Sequence, residues 1–253
     1  MADLKTPEAA ATRPAPASSA ATPVLSVQNL QAWYGESHIL HGIDFSVNAG
    51  EVVTLLGRNG AGKTTTLKSV MGIIAKRTGS VRFNNQETIR TSSDRIARQG
   101  IAFCPEERGI FASLDVRENL LLPPIVRSGG LSLDQIFDLF PNLKERLSSQ
   151  GTKLSGGEQQ MLAIARILRT GARFLMLDEP TEGLAPVIIQ QIGHTIARLK
   201  SEGFTILLVE QNFRFAATVA DRFFIVEHGK IIDGFASAEL QANMGKLHTY
   251  LGV

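Results

Sequence analysis

One glycine-rich stretch constrains this chain more than any other. It reads Gly57-Arg58-Asn59-Gly60-Ala61-Gly62-Lys63-Thr64-Thr65, which has the pattern G-x-x-x-x-G-K-[ST] of a phosphate-binding loop. Residues 51–56 before it are mostly apolar, as in a buried strand, and residues 63–70 after it fit a helix. Between a strand and a helix, the backbone N–H groups of such a loop point at phosphate oxygens. The stretch therefore predicts a site for the phosphates of a nucleotide.

Two side chains of this loop suit the same ligand. Lys63 can reach the β- and γ-phosphates as a mobile cation, and Thr64 can offer its hydroxyl to Mg²⁺. The glycines let the backbone curl closely around the phosphates. We therefore expect Lys63 to act on the phosphates and Thr64 to bind the metal.

A pair of carboxylates follows another apolar run. Residues 174–177 (FLML) fit a buried strand that ends in Asp178 and Glu179. Ligands bind at the carboxyl edge of an open α/β sheet. An apolar strand ending in Asp holds Mg²⁺ in phosphate-loop nucleotidases, mostly through water, so we assign Asp178 to the metal. Glu179 is the better general base for an attacking water. The alternative is that both carboxylates cap the next turn.

A second anion-binding pattern lies farther along the chain. Leu154-Ser155-Gly156-Gly157-Glu158-Gln159 places a serine and two glycines at the start of a helix, which predicts an anion site of backbone N–H groups and a hydroxyl. We call Ser155, Gly156 and Gly157 the signature segment. Because one nucleotide does not need two such devices, we expect two chains to share each nucleotide.

The pattern of strands and helices predicts an α/β fold. Apolar strands alternate with helices, which indicates helices covering a mainly parallel sheet. Residues 24–47 read as an antiparallel β sub-domain, and breaks and capping patterns indicate a helical sub-domain at about 90–160. Residues 1–23 are rich in Ala, Pro, Thr and Ser and read as a disordered tail, which leaves one domain over 24–253.

Composition excludes some classes of function. The net charge of +2 gives no argument for nucleic-acid binding. No apolar run approaches the roughly 18 residues that span a bilayer, so we expect any membrane association to come through partner proteins. Trp33 and Tyr34 lie in the first β segment, and an aromatic there is either sheet packing or a platform for a purine.

The phosphate loop, the signature segment and the run ending in Glu179 occur in an order that resembles the nucleotide-binding subunit of an ABC transporter. The resemblance covers about residues 24–253. It implies a head-to-tail pair of subunits that holds ATP between the phosphate loop of one and the signature segment of the other. It also implies that Tyr34 is the adenine-stacking aromatic and that transmembrane subunits dock on the helical sub-domain.

Two positions depart from the pattern of that family. A Gln that touches Mg²⁺ usually follows the strand at 101–104, and Glu106 stands there instead. A His that contacts the γ-phosphate usually follows the strand ending at Glu210, and here it is Gln211. A carboxylate still suits a hard cation, whereas Gln can donate a hydrogen bond but cannot become cationic.

Four phrases together resemble one subfamily, the F-type ATP-binding subunit of branched-chain (hydrophobic) amino-acid importers. They are residues 105–111, 154–164, 183–192 and 209–212. This resemblance implies a G-type ATPase subunit as partner in a heterodimer, two membrane permeases and, indirectly, a periplasmic binding protein. It implies a location at the cytoplasmic face of the inner membrane, reached through the permeases.

Three alternatives stay open on the sequence. ATPase subunits of urea and short-amide importers are very similar. A soluble, non-transport ABC ATPase acting on nucleic acid or the ribosome usually has two cassettes, a long coiled coil or strong basic patches, none of which is evident here. A regulatory subunit that binds ATP without turnover is favoured by Glu106 and Gln211, and Lys63, Asp178 and Glu179 argue against it.

Overall fold

A computed structural model describes residues 22–252 of the chain. The tail prediction for residues 1–23 therefore lies almost wholly outside the described residues. The strands are β1 Leu25–Tyr34, β2 Ser37–Val47, β3 Val52–Leu56, β4 Lys76–Phe83, β5 Gln86–Glu87, β6 Ile101–Cys104, β7 Phe174–Asp178, β8 Thr205–Glu210, β9 Arg222–Glu227 and β10 Lys230–Ala236. The α-helices are α1 Lys63–Val70, α2 Ser93–Arg98, α3 Val116–Leu121, α4 Leu133–Leu139, α5 Pro141–Glu145, α6 Gly156–Leu168, α7 Pro186–Ser201, α8 Phe213–Val219 and α9 Leu240–Leu251.

A six-stranded sheet forms the centre of the molecule. Its strand order is β10-β9-β3-β8-β7-β6, and every neighbouring pair is parallel except β10 with β9. All residues of β3, β7 and β8 are buried, as expected for parallel strands covered by helices on both faces. The predicted α/β class with a mainly parallel core is therefore confirmed. The parallel pairing brings the carboxyl ends of these strands to one edge.

A second, antiparallel sheet covers one face of the first. Its strand order is β2-β1-β4-β5. Its inward side chains share one apolar cluster with Val53 and Leu55 of β3 and with Leu67 and Val70 of α1. The helix that follows the phosphate loop is thus packed between the two sheets, which fixes its direction.

Helices cover the other face of the central sheet. Val52 and Leu56 of β3 pack in one cluster with apolar residues of α6 and α7. Within the stretch at about 90–160, β6 belongs to the central sheet, and α3, α4 and α5 precede α6. The start of α4 has a capping box, because Ser132 accepts from the backbone N–H of Gln135 and the Gln135 side chain accepts from the backbone N–H of Ser132. The limits of a helical sub-domain stay a prediction.

One helix was missed by the sequence interpretation. Helix α8 begins directly after β8, where Asn212 accepts a hydrogen bond from the backbone N–H of Phe215. Asn is a favourable cap, but seven residues give too short an apolar pattern to separate a helix from a loop. The structure therefore adds a helix that starts close to Gln211.

The turn between β9 and β10 connects the two sheets to the phosphate loop. The N–H of Gly229 donates to the carbonyl of Ala61 at 2.8 Å, and its carbonyl accepts from the N–H of His41 at 2.8 Å. Gly229 has a φ of 70°, and a Cβ there would clash with the backbone carbonyl of Ile39. Only glycine permits so close an approach of three backbone segments.

We expect Gly229→Ala to lower the free energy of unfolding by more than about 1–3 kcal/mol, the range for backbone strain alone, because the new Cβ also forces the segments apart. Gly203→Ala is the matched control, since Gly203 has a φ of 83° but open space around it. Urea unfolding of both variants measures the difference. Equal destabilisation would show that the close packing at Gly229 contributes nothing.

Candidate nucleotide-binding site

The phosphate loop joins β3 to α1 and is held by backbone hydrogen bonds. The N–H of Ala61 donates to the carbonyl of Arg58 at 3.1 Å, and the Thr66 hydroxyl donates to the carbonyl of Gly62 at 2.9 Å. Gly62 precedes α1 with a φ of 107°, a conformation that favours glycine. The loop therefore lies at the start of α1, as the sequence predicts.

Lys63 and Glu179 meet in a buried ion pair. The Lys63 ammonium lies 2.9 Å from Glu179 Oε1 and donates to the carbonyls of Gly57 at 2.9 Å and Arg58 at 3.1 Å. The two side chains are 3% and 9% exposed. Glu179 has a φ of 45°, a strained conformation of the kind that clusters at functional sites. The expected phosphate-binding cation and the expected general base thus face each other.

Thr64 and Asp178 also come together, as expected of two metal ligands. The Thr64 hydroxyl donates to Asp178 Oδ1 at 2.9 Å. Asp178 Oδ2 is buried and has no hydrogen-bond partner among residues 22–252. Burial raises the pKa of Asp178 to about 6, and the negative charges of Glu106 and Glu179 act in the same direction. A buried carboxylate oxygen without a partner fits a site for a cation, which would remove the cost of that burial.

Glu106 and Glu182 lie on the wall of a cleft that also contains Lys63 and Glu179. Desolvation, followed by the negative charges of Glu182 and Glu179, raises the pKa of Glu106. Within residues 22–252, no three His, Cys, Asp or Glu side chains form a metal-binding group by themselves. This arrangement fits Mg²⁺, which proteins bind through one or two carboxylates together with substrate phosphates and water.

A cleft of about 400 Å³ contains most of the predicted site residues. Its lining consists of Tyr34, Ile39, Asn59, Gly60, Gly62, Lys63, Thr64, Thr65, Glu106, Glu179 and Glu182. Tyr34 is 48% exposed at its mouth, as a stacking platform requires. The sequence interpretation gave no role to Ile39 or Glu182. The sequence offered one signal for Glu182, which is its position three residues after Glu179.

Other predicted site residues do not line this cleft. The side chain of Arg58 turns away and donates to the carbonyl of Tyr250 at the end of α9, at 3.1 Å. Gln211 is exposed directly after β8 and is absent from the lining. Gly57 and Ala61 belong to the loop backbone, and a side chain at Gly57 would meet the carbonyl of Val226.

The signature segment is also absent from the lining of the cleft. Ser155 caps α6 by accepting from the N–H of Glu158 at 3.3 Å, and Glu158 Oε2 accepts from the N–H of Ser155 at 2.7 Å. Glu158 also pairs with Arg146 at 3.2 Å. The phosphate loop and the signature segment thus lie apart in one chain, and the anion-binding role of each stays a prediction.

Glu210, at the end of β8, is a buried acid to which the sequence interpretation gave no role. It is 2% exposed, accepts from the Thr181 hydroxyl at 2.8 Å and accepts from the N–H of Asn212 at 3.2 Å. Burial raises its pKa to about 7 despite these hydrogen bonds. Glu210 joins the loop after Glu179 to the segment that carries Gln211. The signal in the sequence was a charged residue ending an apolar run.

Comparison with known proteins identifies the family. The model of the ABC transporter family matches residues 40–182. The chain is 41% identical over 232 residues to the high-affinity branched-chain amino acid transport ATP-binding protein BraG of Pseudomonas aeruginosa, which covers 90% of this chain and 100% of that relative. This chain therefore belongs to the ATP-binding subunits of ABC transporters and is an ATPase of that family.

Of two further relatives, one is named for branched-chain amino acid transport and the other for lipopolysaccharide export. The chain is 35% identical to the probable branched-chain amino acid transport ATP-binding protein LivF of Archaeoglobus fulgidus, over 86% of this chain and 94% of that relative. It is 33% identical to the lipopolysaccharide export system ATP-binding protein LptB of Escherichia coli K12, over 90% of this chain and 97% of that relative. The predicted family resemblance is confirmed.

A solved structure agrees with this assignment. The structure of an ATP-binding subunit of an ABC transporter is 27% identical, with a TM-score of 0.75 over 91% of this chain and 100% of that one. Among the described helices, none has the length and apolar character needed to cross a membrane.

The raised pKa of Glu210 predicts how stability depends on pH. Between about pH 4.5 and 7 the native state keeps a proton that the unfolded state has lost, so the free energy of unfolding falls as pH rises through that window. Glu210→Gln removes the ionisable group. We expect the free energy of unfolding of E210Q, taken relative to that of the parent, to rise by about 2 kcal/mol from pH 5 to pH 8. Urea unfolding at each pH measures it.

The control is Glu36→Gln, because the Glu36 side chain is 99% exposed. E36Q should follow the parent at every pH. An E210Q variant whose stability differs from that of the parent by a constant amount across the range would contradict the burial of an uncharged Glu210.

Proposed function

We propose that this chain is the ATP-hydrolysing subunit that powers import of branched-chain (hydrophobic) amino acids through a membrane ABC transporter. The observation that carries this proposal is the 41% identity to BraG along the whole length of that relative. The second relative named for branched-chain amino acid transport supports it. The meeting of Lys63 with Glu179 and of Thr64 with Asp178 supports hydrolysis at this chain's own cleft.

The proposed mechanism begins with an exchange of partners. Tyr34 stacks against the adenine, and the N–H groups of residues 57–65 surround the phosphates. Lys63 leaves Glu179 for the β- and γ-phosphates, which frees the Glu179 carboxylate. Glu179 then orients the attacking water and accepts its proton. Magnesium, when bound by Thr64, Asp178 and Glu106, would neutralise charge on the phosphate oxygens.

The signature segment completes a site in a second subunit. Because Ser155, Gly156 and Gly157 lie outside this chain's cleft, we infer that they contact the nucleotide held by a partner. We propose that the partner is a different, G-type ATPase subunit of the same importer. Gln211 would donate a hydrogen bond to the γ-phosphate in this chain's site without supplying positive charge. Each of the two ATP sites would consist of the cleft of one subunit and the signature segment of the other, and the two sites would then be unequal.

An exposed apolar groove supports docking of the membrane permeases. The groove has a volume of about 420 Å³ and lies between α2, β6 and the segment after α3; its lining includes Ile73, Phe103, Pro124, Val126 and Ile167. Nearby, Leu121, Leu122 and Ile125 are 46%, 50% and 70% exposed. Exposed apolar patches of this kind mark protein contacts. We propose that one of the two permeases inserts an apolar helix here, at the cytoplasmic face of the inner membrane.

The similarity to LptB and the likeness to urea and short-amide importers define the competing functions. Substrate choice resides in the permeases and the periplasmic binding protein. A pull-down of the tagged chain from detergent-solubilised membranes, followed by mass spectrometry, separates the candidates. Two permeases and a second ATPase subunit would support the importer. Recovery of a lipopolysaccharide exporter, or of ribosomes alone, would contradict it.

Replacing the proposed general base tests the chemistry. In the reconstituted complex, we expect Glu179→Gln to slow ATP hydrolysis at this chain's site by at least about 100-fold. The reason is that a positioned base contributes about 10²–10⁴-fold. Single-turnover hydrolysis of radiolabelled ATP measures it, with E36Q as the control. Unchanged turnover in E179Q would favour a regulatory subunit that binds ATP without hydrolysing it.

A charge placed in the groove tests the docking surface. We expect Ile125→Asp to lower the amount of permease that co-purifies by at least about tenfold, because docking would bury an unpaired carboxylate. ATP affinity of the isolated chain should stay the same. Ala197→Asp adds the same charge at an exposed position of α7 and is the matched control. Equal permease recovery with both variants would exclude this groove.

A further inference from the structure

Arg108 lies in the short loop that follows β6 and carries Glu106. Its N–H donates to the carbonyl of Pro105 at 3.0 Å, and its φ is 62°, in the left-handed region. This conformation is uncommon for a residue with a side chain. Such strain persists where the surrounding contacts hold it, so the contacts of the guanidinium indicate what the conformation serves.

The guanidinium of Arg108 reaches the signature segment. Its Nη1 donates to Gln159 Oε1 at 3.2 Å. The group also lies against Gly156, where an added Cβ would be 3.4 Å from Nη1, 3.5 Å from Nη2 and 3.7 Å from Cζ. Because both terminal nitrogens are closer than Cζ, the Nη1–Nη2 edge of the guanidinium approaches the glycine. A Cβ at Gly156 would make ordinary van der Waals contact with this edge.

Gln159 connects Arg108 to the residues that precede the signature segment. Its Nε2 donates to the carbonyl of Gly151 at 3.1 Å and to the carbonyl of Leu154 at 3.3 Å. Arg108 therefore holds, through one amide side chain, the residues that lead into Ser155. The contact joins two functional regions, since Glu106 lines this chain's cleft and the signature segment does not.

Within residues 22–252, no carboxylate pairs with Arg108 in an ion pair. Its hydrogen bond goes to a neutral amide, so charge neutralisation does not explain its place. A planar group that donates to Gln159 through Nη1 and lies against Gly156 along its Nη1–Nη2 edge fits a role in geometry, which lysine cannot reproduce.

We propose that Arg108 is a positioning residue that fixes the signature segment relative to the loop carrying Glu106. This inference rests on the proposed sharing of ATP between two subunits. Changes at the cleft wall of one chain would then reach the signature segment that this chain presents to the nucleotide of its partner. Arg108 itself contacts neither nucleotide in this role, and it acts through Gly156 and Gln159.

The test measures ATP-driven association of the full chain in the Glu179→Gln background, with itself and with the second ATPase subunit. We expect Arg108→Ala and Arg108→Lys to raise the ATP concentration for half-maximal association by roughly three- to thirtyfold, the range of coupling carried by a linking residue. Sedimentation velocity measures association. ATP affinity of the isolated chain should change by less than about twofold, since the phosphate loop is untouched.

Arg198→Ala is the matched control, because Arg198 is an exposed arginine in α7 whose side chain, within the described part of the chain, pairs only with neighbouring Glu202. Association of R108A equal to that of R198A would overturn the proposal. Full association of R108K would also overturn it, because charge without planar geometry would then suffice. An equal loss of ATP affinity in the isolated R108A chain would show a general structural role instead.

ATP hydrolysis by the reconstituted transporter complex is a second measurement, and it does not require isolated subunits to associate. There we expect R108A to lower kcat for ATP with KM within about twofold of the parent, and unchanged kcat would overturn the proposal. Failure of the proposed importer function would appear differently. It would show in the proteins recovered with the parent chain, while the self-association series would still report on Arg108.

Discussion

The nucleotide cleft depends on the packing of three backbone segments at the β9–β10 turn. Gly229 hydrogen bonds to Ala61 in the phosphate loop and to His41 in β2, so one turn connects the loop to both sheets. The loop and the turn are far apart in sequence, and their approach requires that the parallel sheet be complete through β9. The final position of the phosphate loop therefore depends on the whole fold, although the loop itself is a local pattern. A side chain in this contact would disturb the nucleotide cleft and the join between the sheets together.

Burial of carboxylates at the carboxyl edge is the main electrostatic cost of this arrangement. Asp178, Glu179 and Glu210 end or follow neighbouring strands, where little water reaches them, and burial raises the pKa of Asp178 and of Glu210. Lys63 offsets part of the cost through its contact with Glu179. A nucleotide with its cation would supply positive charge beside Asp178 and would draw Lys63 to the phosphates. The protein thus stores unfavourable charge where the ligand can relieve it, a common relation between stability and function.

Local patterns were enough to predict the class of fold and the position of the phosphate loop. The strand before the loop, the helix after it and the run ending at Asp178 are each set by neighbouring residues, and they lie where the sequence indicates. Contacts between distant segments were not predictable. Nothing in the local sequence shows that Lys63 pairs with Glu179, or that the side chain of Arg58 turns toward Tyr250. Helix α8 was missed because its pattern is short, and Glu210 was given no role because its burial depends on the completed sheet.

The phosphate loop and the signature segment lie apart in one chain, so a connection between them would matter if both bind nucleotide as proposed. If each nucleotide is shared, the state of one cleft is useful to the other only when a rigid path joins the cleft wall to the signature segment. The loop after β6 would be such a path, since Glu106 lines the cleft and the edge of the Arg108 guanidinium lies against Gly156. If Gln211 contacts the γ-phosphate as proposed, its neutral amide would give this chain's own site less means of sensing that phosphate directly. Coupling through Arg108 would then let the chain contribute to turnover at its partner's site even where its own hydrolysis is slow.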